Sequence, residues 1–219
     1  MGDVGAREAI DAAQVAGWLE MYASAVEERS ATLTELDAAI GDGDHGINME
    51  RGMRAVRERV LAGGAGQDAG ALLKQSGMAL LSTVGGAAGP LYGTLLMRMG
   101  EVAAGQEAID AARLEEVLRA GVEGVRRRGK AEPGDKTMVD ALQPGLDAYG
   151  KAFRRGATLP EAVAAAAEAA ERGCKATIRM KALKGRASYL GERSIGHQDP
   201  GATSSALLLR TLERVLASR

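Results

Sequence analysis

An all-α fold is what this sequence predicts, as a single-domain, up-and-down, eight-helix barrel-like bundle over 1–219, and three observations carry the prediction. Hydrophobic residues make up 46% of the chain while aromatics make up only 3%, so the core is built from Ala, Leu, Val and Met, a composition suited to close helix packing rather than sheets. Apolar residues recur at spacings of three and four, as at Val15, Trp18, Leu19, Tyr22, Ala25 and Val26, which lines one helical face. No stretch shows sustained alternation of β-branched and aromatic residues.

The periodicity places helices over 6–30, 47–62, 69–82, 91–104, 111–129, 136–155, 160–181 and 200–218. Start signals support three of them: Asp110 before Ala111, the Thr158 to Glu161 capping box, and Asp199 followed by Pro200 at the first turn. A chain of 219 residues buries roughly 70% of its unfolded surface, enough for a real core. The Gly63-Gly-Ala-Gly66 run resembles a linker, but its flanks lack separate cores. The 30 glycines are about twice the usual share and need a structural reason.

Charge and cysteine content narrow the function classes. With 28 Lys and Arg against 29 Asp and Glu, no bulk basic field exists to hold nucleic acid or an anionic membrane. The single cysteine, Cys174, excludes an internal disulfide framework and a Cys-based zinc site, which points to a reducing compartment. No apolar run approaches the ~18 residues of a spanning helix. The start Met1-Gly2-Asp3, with Ala6 in the hydroxyl position, matches neither a signal peptide nor a myristoylation signal. The expectation is a soluble cytoplasmic chain.

Short connections make successive helices antiparallel, so alternate loops share an end. One end then receives 31–46, 83–90, 130–135 and 182–199, with nearly all the unusual chemistry: Asp37, Asp42, Asp44, His45, Gly85-Gly86, Lys130, Asp135, Arg186, Arg193, His197 and Asp199. The other receives 63–68, 105–110 and 156–159. The helices starting near 47, 91, 136 and 200 would turn their unpaired N–H groups toward the first end, which favours an anion.

In the acidic stretch that ends at Gly46, the ten positions from Glu35 to Asp44 hold four carboxylates, which repel unless a cation sits among them. Gly41 to Gly46 satisfies G-x-G-x-x-G, but it follows a helix and its aspartates would repel a pyrophosphate, against a Rossmann site. An EF-hand counted from Asp42 would put Ile47 and Met53 at its glycine and acid positions. Two readings remain: a solvated acidic cap, or oxygen ligation of Mg2+ or Ca2+ by Asp37, Asp42 and Asp44. The Gly85 to Pro90 run could bring N–H groups close to phosphate, yet no P-loop motif exists.

Four stretches, Leu33 to Gly46, Gly85 to Gly93, Gly129 to Met138 and Gly185 to Gly201, closely resemble, in order, the nucleotide-binding L subunits of dihydroxyacetone kinases. That resemblance implies an eight-helix barrel with ADP or ATP and two Mg2+ at one end, the metals on Asp37, Asp42 and Asp44. It implies that His45, Gly46, Asn48, Ala87 and Ala88 approach the phosphates, while Gly129, Met138, Arg186, Asp199, Pro200 and Gly201 hold the nucleotide. Relatives often carry a hydroxyl residue where Ala88 stands, which shifts that contact to backbone N–H groups. The implied reaction is phosphoryl transfer to dihydroxyacetone held covalently on a histidine of a partner K subunit. In the three-subunit system the nucleotide is recharged by a phosphohistidine on an M subunit fed from phosphoenolpyruvate; elsewhere ATP is consumed. No catalytic base is assigned in this chain. Two other readings stay open: a non-catalytic, nucleotide-dependent partner of a transcription regulator, and a stand-alone metal phosphohydrolase.

Overall fold

The structure, a computed structural model, describes residues 9–63 and 66–218. The Met1-Gly2-Asp3 start, Ala6, where the periodicity begins the first helix, and Gly64 and Ala65 of the linker-like run lie outside them. Among the described residues there are nine α-helices: α1 (Ala12–Glu28), α2 (Ser30–Ile40), α3 (His45–Val56), α4 (Ala69–Thr83), α5 (Ala88–Ala103), α6 (Ala111–Gly129), α7 (Val139–Arg154), α8 (Leu159–Ala176) and α9 (Pro200–Ala217). Eight of them close a ring in which consecutive helices pack side by side from α3 to α9, and α1 completes it against α9 and α3. The extra helix, α2, lies against α3 and α9 at one end of the ring. No helix among the described residues is long and apolar enough to cross a membrane.

The all-α bundle is therefore present, with four local corrections. Helix α2 occupies most of the segment expected as a loop over 31–46: Leu33, Asp37 and Ile40 form its buried face, and a carboxylate in that stripe breaks the apolar periodicity. The 6–30 helix begins only at Ala12, because Ala9–Asp11 (β1) pairs antiparallel with Ala108–Asp110 (β2), Ile10 opposite Ile109. Both strands read Ala-Ile-Asp; each isoleucine is buried, and each aspartate caps the following helix, Asp11 accepting from the Gln14 N–H and Asp110 from the Arg113 N–H. Strands of three residues are too short for alternation to register. The 47–62 helix finishes as a π-helical turn, Arg57–Leu61. The 136–155 helix starts at Val139, because Lys136 has a left-handed backbone with φ of 61°.

The expected caps form. Asp199 accepts from the Ala202 N–H, and Glu161 accepts from the backbone N–H and hydroxyl of Thr158. The core runs through the ring and includes Trp18, Tyr22, Tyr92 and Tyr149 with a large set of Leu, Val and Ala; the Trp18 indole N–H donates to the Leu208 carbonyl at 2.9 Å. The glycines find their reason largely in helix approach. A Cβ on Gly77 would lie 2.7 Å from the Gly93 carbonyl oxygen, and one on Gly100 would lie 2.6 Å from that of Gly70, so α4 and α5 meet backbone to backbone along a glycine seam.

Candidate functional site

The connections 41–44, 84–87, 130–138 and 177–199 meet at one end of the ring around a cavity of about 330 Å³. Helices α3, α5, α7 and α9 all begin at its wall, which includes Asp44, Ala87, Met138 and Pro200. The N-cap residues of α3 and α5 make no side-chain capping bond. The His45 N–H of α3 is taken by Asp37, and the first N–H groups of α7 bond Thr137 and Met138, so the N–H groups of α3 past His45 and those opening α5 are the ones left to an anion.

The acidic cluster is built by α2 and the turn after it. Asp37 is buried on α2, and its Oδ2 accepts from the backbone N–H groups of Asp44 at 2.9 Å and His45 at 3.2 Å, folding the turn back onto the helix. Gly43, at φ of 73°, permits that reversal. One carboxylate oxygen each from Asp37, Asp42 and Asp44 lies within 4.8 Å of the others. Across the mouth, the Arg186 guanidinium pairs with Asp42 at 3.0 Å. Three hard oxygen donors, one from α2 and two from the turn after it, fit a divalent cation of the Mg2+ type, which takes a few carboxylates and completes its shell with phosphate and water.

His45 is buried, and its Nε2 lies 2.9 Å from Ser204 Oγ on α9. Ser204 Oγ is 2.6 Å from the Tyr92 hydroxyl, which in turn is 2.9 Å from Ser205 Oγ. Burial lowers the His45 pKa, against the pull of Asp37 and Asp44, so the ring serves as a neutral tie between α3 and α9. Gly46 does not line the cavity; a Cβ there would lie 1.9 Å from the Ser30 carbonyl oxygen, so it is glycine because α2 and α3 start in contact. Asn48 is also set back from the wall: its Oδ1 accepts from Arg51 at 2.6 Å, while Arg51 Nε donates to the Thr83 carbonyl, staking out the approach to Gly85. Ala87, Ala88, Gly129, Met138, Arg186, Asp199, Pro200 and Gly201 all line the cavity, as do Asp37, Asp42, Asp44 and His45.

Two contributors escape a reading of the sequence. Arg51 follows Asn48 by one helical turn, a spacing that could have flagged it. Lys136 is 1% exposed and lines the cavity beside Met138; a lysine in a polar loop gives no sequence signal of burial.

Burial also pushes the Asp199 carboxyl up to about 7, with the nearby Asp140 and Asp37 adding to the shift and the Ala202 N–H and Lys136 opposing it. A folded-state pKa above the unfolded value near 3.8 means the native state holds the proton more tightly. The resulting stability is complete below about pH 4 and is lost as pH rises through about 7. Asp199→Asn, which mimics the protonated acid and can still cap α9, should raise the melting temperature of the ligand-free protein near pH 8 and leave it unchanged near pH 4. Thermal melts across that range check this; a gain independent of pH would mean the carboxylate is not what titrates.

Comparison with known proteins places the chain among phosphotransferase components. Residues 39–214 match the DAK2 domain, and the chain belongs to that family. It is 46% identical over 199 residues to the PEP-dependent dihydroxyacetone kinase, ADP-binding subunit DhaL, of Escherichia coli strain K12, covering 91% of this chain and 94% of that one. It is 45% identical over 195 residues to the corresponding ADP-binding subunit of kinase 1 of Listeria innocua, covering 89% and 92%. Among solved structures it resembles the dihydroxyacetone kinase from C. freundii in complex with AMP-PNP and Mg2+, with a TM-score of 0.68 and 27% identity. That match covers 92% of this chain but only 34% of the other, so the chain spans about a third of that kinase.

Proposed function

We propose that this chain is the ADP/ATP-binding subunit of a dihydroxyacetone kinase, carrying a phosphoryl group on its bound nucleotide to dihydroxyacetone held by a K subunit. The observation that carries this reading is the convergence of three carboxylates and four helix starts on one cavity. The named activities of the relatives support it. Asp37, Asp42 and Asp44 would hold two Mg2+, which neutralise charge on the phosphates. Ala87 and Ala88 offer backbone N–H groups to those phosphates, while Leu91, Val125, Met138 and Pro200 give an apolar wall suited to a nucleobase. Phosphorylation of ADP on an M subunit's phosphohistidine, fed from phosphoenolpyruvate, is the recharging route that the relatives' names favour. Consumption of free ATP is the alternative source.

In the transfer step the bond between the γ-phosphorus and the bridging oxygen would break, leaving ADP, as a bond forms to the acceptor hydroxyl oxygen, whose proton would pass to a base on the partner, none being assigned in this chain. Such a reaction is catalysed by positioning and charge neutralisation. Among the described residues the one histidine of the cavity wall, His45, is tied to Ser204, and no group of the wall is assigned to hold a small ketone. The acceptor must be held about 3–3.5 Å from phosphorus, so a partner completes the site. Ile47, Leu183, Tyr189 and Ile195 are exposed on segments bordering the mouth, giving a docking partner apolar contacts.

The test is dihydroxyacetone phosphorylation with ATP and Mg2+, with and without a cognate K subunit. Turnover by the mixture should exceed that of the isolated chain by at least about a thousandfold. Equal rates would establish a stand-alone enzyme instead, and nucleotide-dependent capture of a transcription regulator without transfer would establish the regulatory reading.

A further inference from the structure

The strap from Thr177 to Asp199 joins α8 to α9 and contributes Lys184, Arg186 and Asp199 to the cavity wall. Its regular structure is limited to short 3₁₀ turns, interrupted at Gly191, where φ is 57°. Its ends are tied to each other by the Asp199 N–H, which donates to Thr177 Oγ1 at 3.0 Å, and by the Gly196 N–H, which donates to the Ile178 carbonyl at 2.7 Å; within it Ser194 Oγ accepts from the Ala182 N–H at 2.9 Å and Lys181 pairs with Glu192. A small apolar contact of Ile40 with Ala182 and Ala187 rests it on α2.

Lys136 reaches into this strap from the 130–138 connection, whose Asp135 carbonyl also accepts from the Leu183 N–H at 3.0 Å. Its Nζ donates to the carbonyl oxygens of Thr177 at 2.8 Å, Met180 at 3.2 Å and Ser194 at 2.8 Å, and also to that of His197. All four acceptors are backbone oxygens spread over both ends of the strap. Among the described residues no carboxylate forms an ion pair with Lys136. A buried ammonium without a paired carboxylate is costly unless its donors are fully used, and here three protons are shared among four acceptors. Burial lowers the pKa of Lys136 while Asp199 raises it. The left-handed backbone at Lys136 is disfavoured for a non-glycine residue and persists only where its surroundings impose it. Rings of backbone carbonyls are also the donor set that accepts bare monovalent cations.

We propose that Lys136 acts as a tethered monovalent cation, its ammonium filling a carbonyl cage that clips the 177–199 strap against the bundle. Lys136 is thereby a positioning residue for Arg186 and for the turn Asp199–Gly201. The clip stands on its own geometry; its bearing on nucleotide rests on the function proposed above.

The strap offers trypsin the exposed Lys181, Arg186 and Arg193, so its closure can be read without nucleotide. Lys136→Ala should be cut there at least about tenfold faster than the unmodified protein, with helical circular dichroism retained. The truncation leaves a void the shape of n-propylammonium, which should restore protection; propanol, lacking charge, and tetramethylammonium, lacking N–H donors, should not. Mg2+-ADP affinity should fall about tenfold in the same variant and recover with n-propylammonium alone. Unchanged cleavage, or rescue by propanol as good as by n-propylammonium, overturns the clip. Should Lys136→Ala fail to fold, Lys136→Met keeps the volume and removes the charge: faster strap cleavage supports the proposal and wild-type resistance overturns it. Absence of Mg2+-ADP binding in the unmodified protein would overturn the proposed function and not the clip.

Discussion

ADP added without metal should leave the melting temperature unchanged, Mg2+ alone should move it little, and the two together should raise it by roughly 5–10 °C. The reason is charge: three carboxylates within 4.8 Å of one another and a polyphosphate repel unless a cation lies between them. At free ligand about 100-fold above Kd, linkage contributes about 2.7 kcal/mol, and each kcal/mol moves the transition of a chain this size by roughly 2–4 °C. Asp42→Asn and Asp44→Asn should each remove most of the combined shift. Both lie outside the helices, so far-UV circular dichroism should not change. Differential scanning calorimetry with and without chelator is the measurement. An equal ADP shift in chelator would show that nucleotide binds without the carboxylate site, and loss of helicity in the variants would make the acids structural.

The second large effect lies in the α4–α5 seam. Gly77→Val should destabilise the protein by about 3 kcal/mol or more, lowering the melting temperature by roughly 6–12 °C, because its Cβ alone would lie 2.7 Å from Gly93 O and from Met97 N. Backbone atoms cannot rotate aside, so the helices must part. At Gly17, inside α1, an added Cβ would meet nothing within 4 Å, and Gly17→Ala should add roughly 0.5–1 kcal/mol through backbone entropy. Urea unfolding of both variants reads the contrast; destabilisation of similar size at the two positions would show that helix approach is not what distinguishes them.

Much of this architecture is legible in the sequence because local signals agree with one another. The stripe Val15, Trp18, Leu19, Tyr22, Ala25 and Val26 is buried throughout, and alternate-loop reasoning gathers the segments that form the cavity wall. Helix α2 is not legible, since its buried face includes Asp37 and its acids resemble a loop. Glycine is ambiguous in sequence: Gly46 and Gly77 are needed for close approach, whereas Gly86 is needed for its positive φ. The identity of the residues reaching the cavity can be anticipated, but not that His45 turns its Nε2 to Ser204 or that Lys136 is interior. Both depend on contacts between segments far apart in the chain, which no local pattern encodes.

The paired Ala-Ile-Asp strands sit at the opposite end of α6 from Gly129, about 28 Å away by helix rise. There, a ladder, two buried isoleucines and two aspartate caps hold the chain entries of α1 and α6 in one small knot. The cavity end has no comparable ladder among the described residues and depends on single side chains reaching scattered carbonyls. The molecule is thus graded along its length, a stiff base beneath an adjustable rim. Amide exchange should proceed by separate events at the two ends, with the rim breathing many times for each opening of the base. Such a gradient lets the rim rearrange without placing the bundle itself at risk.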